Sequence, residues 1–208
     1  MNKKLIRVLN QVVCGAVFAT ASATSFAADA VYVPDPARTP GALNPDVTQE
    51  NFHEVICVGG TKQYRPAASY TTGLKKKQLS DFNYHDQDPS QYEEDHLIPL
   101  SLGGHPRSPK NLWPEPWDGE WGAHKKDELE YALYKATCRG QMSLAEAQAA
   151  FAHDWTRSYQ RYAALRSKYR FEHGEHDGNE RHPHGHQHHH HERRYNWFTS
   201  LKRAMNGG

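Results

Sequence analysis

Residues 93–127 bring together side chains that handle protons and metal ions. Glu93-Glu94-Asp95-His96 comes first, then Gly103-Gly104, then Asn111, then His124-Lys125-Lys126-Asp127. A carboxylate beside an imidazole can anchor a divalent cation while the neutral ring takes a proton from water. A second histidine in the first turn of a helix can complete the cation's coordination. In this order the residues suit hydrolysis of a phosphodiester assisted by one metal ion. Asp95 and His124 are the expected metal ligands and His96 the expected general base. Asp127, three residues past His124 on a neighbouring helix face, is the alternative helix ligand. One geometric demand follows. Adjacent residues of a regular strand point to opposite faces, so Asp95 and His96 can meet one phosphate only at a strand end or bulge. Pro99 and Gly103-Gly104 soon afterwards allow such an end.

The elements that must position these groups are legible in the surrounding pattern. Residues 92–98 read as a strand, Gly103-Gly104 as a turn, and Leu112-Trp113 as the start of a second extended piece. A Pro- and Trp-rich insertion then fills 113–121. Residues 122–138 carry Leu129, Ala132, Leu133 and Ala136 at i, i+3, i+4 and i+7, one apolar stripe of a helix that Gly140 ends. Ser143-x-x-Glu146 is a capping box opening the next helix. Its stripe runs through Leu144, Ala147, Phe151, Trp155, Tyr159 and Tyr162 and reads as core. Upstream, 48–56 reads as a short helix capped by Thr48, 62–64 as a short strand, and 71–82 as a helix carrying Lys75-Lys76-Lys77. The expected fold is a small α+β domain.

Composition narrows the function classes. The chain has 208 residues with 25 Lys and Arg, 24 Asp and Glu, and a net charge of +1. Lys3, Lys4 and Arg7 supply three of those positive charges, and without them the balance is −2. A binder driven by bulk positive charge is therefore excluded, and any nucleic-acid contact must come from a local patch. Arg107, Lys110, Lys125, Lys126 and Lys75–Lys77 are candidates for it. Trp113, Trp117 and Trp121 could stack on bases or pack in the core. A mean hydropathy of −0.90 excludes a polytopic membrane protein.

Residues 1–28 read as a signal peptide: a basic start, a short apolar run, and small-x-small patterns at Ser25-Phe26-Ala27 and Ala28-Asp29-Ala30. The expected location is therefore secreted or periplasmic. Cys57 and Cys138 are the cysteines left after it, and in an oxidising compartment they most simply form one disulfide. Residues 29–46 are a Pro-rich lead, expected to be extended and weakly ordered. Residues 172–194 are a His-rich low-complexity segment without apolar periodicity, expected to be disordered. Its imidazoles suit Zn²⁺, Ni²⁺ or Cu²⁺. Residues 195–208 have a short amphipathic pattern. A rival reading follows from the tail alone: a non-enzymatic envelope protein that binds metal.

Asp95-His96-Leu97-Ile98-Pro99-Leu100, Gly103-Gly104, Asn111-Leu112-Trp113-Pro114 and the Lys126-Asp127-x-Leu129-Glu130 helix together resemble the His-Asn-His (HNH) endonuclease family. Ile56-Cys57, Arg65-Pro66, Ser69-Tyr70-Thr71 and Leu144-x-x-Ala147-Gln148 resemble a secreted branch of it. The resemblance spans residues 46–160 and implies a nuclease domain over 47–171, with a ββα-metal motif set among helices. It also implies His96 as general base, Asp95 as metal ligand, and Asn111 as the residue that holds the loop between the strands and so orients the base. The activity it implies is endonucleolytic cleavage of DNA, with RNA as a second substrate. Mg²⁺ or Mn²⁺ is the expected working ion, and a histidine ligand also admits Zn²⁺ or Ni²⁺.

Overall fold

The structure, a computed structural model, describes residues 32–174. Two antiparallel strands, β1 (Tyr92–His96) and β2 (Leu112–Pro116), pair Tyr92 with Pro116, Glu94 with Pro114 and His96 with Leu112. What reads as a Pro-rich insertion is thus half of the sheet. Proline cannot donate a backbone hydrogen bond, so Pro114 and Pro116 fit only at positions whose nitrogen faces away from β1. Leu97 N donating to Asn111 O (2.8 Å) and Trp117 N to Gln91 O (3.0 Å) continue that alternation beyond both strand ends.

A two-stranded ribbon is unstable alone and leaves outward-facing carbonyls to satisfy. Helix α1 (Ala68–Asp81) and the turn after it do this from one side. Gln78 Nε2 donates to Leu112 O (2.8 Å), Tyr84 OH to Pro114 O (2.9 Å) and Lys75 Nζ to Tyr92 O (2.8 Å). The ring of Tyr84 meets that of Tyr92 edge-on at 5.3 Å. Helix α1 begins before Thr71, the expected start; Thr71 lies in its first turn and donates its hydroxyl back to Ala68 O.

Helix α2 (Ala123–Cys138) lies against the other side, with Leu129, Leu133 and Ala136 in the main core beside Trp113, Leu97 and Ile56. The expected helix through Tyr162 is broken. Helix α3 (Leu144–Ala152) starts at Ser143, whose Oγ accepts from Glu146 N, and stops where Asp154 caps a new helix, α4 (Trp155–Arg161). Asp154 Oδ1 accepts from the backbone of Thr156 and Arg157, which satisfies the new helix's first amides. Helix α5 (Ala163–Gly174) follows and runs past the expected end of the domain at 171.

Two upstream expectations are corrected. Residues 62–64 form a 3₁₀ turn rather than a strand, because no neighbouring strand is there to pair with them. Residues 48–52 form a turn closed by reciprocal Thr48–Asn51 hydrogen bonds, and the helical turn comes later, as a π-helix at His53–Val58. Cys57, in that π-helix, is disulfide-bonded to Cys138 at the end of α2, with Cα atoms 5.8 Å apart. No described helix is long and apolar enough to cross a membrane.

From Tyr32 onward the Pro-rich lead is packed, not loose. Gly41 N donates to Lys110 O, Asn44 N to Gly103 O, and Trp155 Nε1 to Tyr32 O. The long loop between the strands has backbone groups without strand partners, and the lead supplies them. The expected signal peptide, most of the His-rich segment and residues 195–208 lie outside the described residues.

Candidate functional site

His96 is the last residue of β1 and only 6 % exposed. Its Nε2 lies 3.0 Å from Pro106 O. A carbonyl can only accept, so Nε2 carries the proton and Nδ1 keeps its lone pair. Burial pushes the imidazole down to about 4, against the opposing effects of Asp95 and the Pro106 carbonyl. At neutral pH the ring is therefore an uncharged acceptor in a fixed orientation.

Asn111 secures the loop that carries Pro106. Its Oδ1 accepts from Ile98 N (3.0 Å) and Ala42 N (3.4 Å), and its Nδ2 donates to Ile98 O (3.0 Å) and His105 O (3.2 Å). One fully buried amide thereby ties the end of β1, the loop and the lead together. Gly104 lets this happen: a Cβ there would sit 1.7 Å from Ile98 O. His105 Nδ1 accepts from Arg107 N and Ser108 N, which fixes the next turn. Arg107 stacks over the Tyr70 ring at 4.7 Å, and Tyr70 OH donates to Arg107 O.

Strand alternation divides the acidic run. Glu94 and His96 share the face toward α1, whereas Glu93 and Asp95 share the opposite face with Trp113 and Glu115, their cross-strand partners. Neither Glu94 oxygen has a hydrogen-bond partner, although both are buried. Burial, reinforced by Asp95 and opposed by Lys75, pushes Glu94 up to about 8. Asp95 faces α2, where it ion-pairs with Lys126. The Lys126 ammonium is fully buried and also lies 3.8 Å from Glu115. Burial alone would favour the neutral amine, but Asp95 and Glu115 outweigh it and raise the lysine above its ordinary value. Lys126 is thus not a solvent-facing phosphate contact.

Glu93, Asp95 and Glu115 bring one carboxylate oxygen each within 4.8 Å of one another. They are the set of three or more metal-binding side chains that the described residues converge, and His124 and Asp127 are outside it. His124 is half-buried in the first turn of α2, its ring 6.4 Å from that of Trp117, and Asp127 is buried one turn on. Glu115 has no exposure; its carboxyl lies against that of Asp95 and 3.8 Å from Lys126 Nζ. Burial, with Asp95 and Glu93 nearby, holds its carboxyl well above the usual range despite Lys126. Three hard oxygen donors within reach of one another fit a hard divalent ion such as Mg²⁺ or Mn²⁺.

Glu115 and Lys126 were not singled out as a pair by sequence reasoning, yet a signal exists. Continuing the stripe Leu129, Leu133, Ala136 back one turn lands on Lys126. Reading 112–116 as a strand places Glu115 on the face of Trp113. Of the three tryptophans offered for base stacking, Trp113 is core, and Trp121 packs edge-on against Trp155 and Tyr159 under Lys125.

Comparison with family models, curated proteins and solved structures returns no match to this chain.

Proposed function

We propose that the chain is an exported, metal-dependent endonuclease of HNH type that hydrolyses phosphodiester bonds in DNA, and in RNA where it meets it. The observation that carries this reading is His96: a buried, uncharged imidazole at a strand end, its tautomer fixed by Pro106 and its loop fixed by Asn111. Such a group takes a proton from water at Nδ1 as the water oxygen bonds to phosphorus and the opposite P–O bond breaks. Asn111 acts by position, keeping Pro106 against Nε2. Asp95 and His124 are the ligands the resemblance implies for a divalent ion, which would stabilise negative charge on the phosphate as a Lewis acid. Arg107, held over Tyr70, and the exposed Lys110 are suited to flanking phosphates. The Cys57–Cys138 disulfide supports an oxidising compartment and so export.

Purified protein incubated with supercoiled plasmid tests the reading. Nicking in Mg²⁺ or Mn²⁺, stopped by EDTA and restored by excess ion, is expected. Plasmid left supercoiled by folded protein with each of these ions would contradict it.

A further inference from the structure

Charge is divided unevenly along the chain. Residues 32–130, which carry the ribbon and the candidate site, hold ten Lys and Arg against sixteen Asp and Glu. Residues 131–171, from the middle of α2 into α5, hold seven against two. A polyanion is repelled by the first part and drawn to the second. A phosphodiester cleaver built on the acidic part therefore needs a positive surface nearby to hold its substrate.

Helix α5 supplies one. Residues 163–171 contain Arg166, Lys168 and Arg170 and no acid. Arg166 lies over the Tyr159 ring at 3.3 Å, and its Nε donates to Tyr159 O (2.9 Å). Lys125, next to His124 in the first turn of α2, reaches the same ring at 6.0 Å and the Trp121 ring at 4.6 Å. Arg166 and Arg170, one helical turn apart, both donate to Glu128 Oε2, at 3.3 and 2.9 Å. Three cations thus gather around one carboxylate, a surplus of two positive charges that begins beside His124 and runs onto α5. The Arg170 side chain is 59 % exposed, so its guanidinium is open to a ligand from solvent.

The chemistry of this surface selects a sugar–phosphate backbone over bases or lipid. Lys125 covers Trp121, Arg166 covers Tyr159, and the two rings pack edge-on against each other, so neither offers a free face for a base to stack on. Among the described residues the exposed large apolar side chains are Leu43 and Val58, neither of them on α4 or α5. The surface thus lacks the apolar side chains with which a helix enters a lipid interface. Guanidinium forks match phosphate oxygens, and a duplex presents twice the charge per unit length of one of its strands. We propose that Lys125, Arg166 and Arg170 form a track for the backbone of duplex nucleic acid, anchoring it beside the cleavage site without reading its sequence. The track rests on the nuclease reading for its ligand and adds a contact on the α2 side to Arg107 and Lys110.

The full chain in EDTA is titrated into a fluorescent DNA duplex of mixed sequence and read by anisotropy, from about 50 to 200 mM NaCl. Saturable binding that weakens steeply with salt is expected, and a duplex of unrelated sequence should bind equally well. Arg170→Gln and Lys125→Gln should each weaken binding and lower the slope of log K against log salt by about 1, the signature of one lost phosphate contact. Arg157, 86 % exposed, is two residues from Tyr159 and so on the other side of α4. Arg157→Gln should therefore leave the slope unchanged. Thermal unfolding confirms that each variant is folded. Absence of duplex binding by folded wild-type protein at the lowest salt overturns the track. So does a slope that Arg170→Gln and Lys125→Gln leave unchanged, or one that Arg157→Gln lowers as much as they do. Binding to phosphatidylglycerol vesicles without binding to duplex would assign the surface to lipid and overturn it as well. EDTA withholds the metal, so binding is read without cleavage. Wild-type protein that nicks plasmid in Mg²⁺ but fails these tests loses the track alone, and protein that passes them but never nicks loses the nuclease reading alone.

Discussion

The two faces of the β1–β2 ribbon handle charge in opposite ways. On the α1 face, Glu94 and His96 are shifted toward their neutral forms, and the neighbouring polar groups of Lys75, Gln78 and Tyr84 are spent on ribbon carbonyls. On the α2 face, Asp95 ion-pairs with Lys126, whose ammonium the neighbouring carboxylates Asp95 and Glu115 hold charged against its burial. One strand thus presents a neutral proton acceptor on one side and carboxylates gathered around a buried ammonium on the other. Alternation along the strand keeps the two kinds of group apart.

The comparison breaks hardest at Lys126. Lys126→Met in EDTA should destabilise the fold by about 3–5 kcal/mol at pH 7, because it leaves buried carboxylates without their cation. Glu115→Gln, which relieves charge at nearly constant shape, should cost far less. Urea denaturation of both variants reads the difference, and equal losses would show that packing rather than charge governs this face.

Reduction of Cys57–Cys138 should cost about 2–4 kcal/mol, since the bond spans 81 residues of sequence. It anchors the far end of α2, so the α2 face should loosen before the α1 face. Hydrogen exchange of the reduced protein checks this: faster exchange in 123–138 with 68–81 unchanged is expected. Next in size, Asn111→Ala should cost about 2 kcal/mol by orphaning buried backbone groups. It should also lower nicking by releasing the loop that holds Pro106 against His96.

A pH-dependent effect concerns Glu94. Its folded-state value near 8 lies above its unfolded value, so its contribution to stability is complete below about pH 4.5 and is lost as pH rises through 8. Glu94→Gln mimics the neutral form. Its melting temperature should match wild type at pH 4 and exceed it by about ten degrees or more at pH 8.5. A constant offset across that range would contradict a neutral carboxyl on the His96 face.

Local pattern made much of this legible. Helix α2 is found to within a residue because its apolar stripe and Gly140 are local signals, and the disulfide follows from the two cysteines outside the expected leader. The face problem at Asp95-His96 is visible from strand geometry alone, and the structure keeps the regular alternation: His96 faces α1 at the strand end while Asp95 faces Lys126 of α2. Long-range pairing was not legible. Lys126 reads as one lysine of a basic run until α2 is docked on β2, and Glu115 is hidden between two prolines that suggest a loop. The break between α3 and α4 was missed because the aromatic stripe continues through it, while the cap at Asp154 decides the backbone.

The most direct measurement is the single-turnover rate of plasmid nicking by His96→Ala beside wild type, at saturating Mg²⁺, with folding checked by circular dichroism. Loss of the general base should slow cleavage by about 10²–10⁴ while the fold persists. A folded His96→Ala protein that nicks at near the wild-type rate would contradict the assignment of His96 as the base.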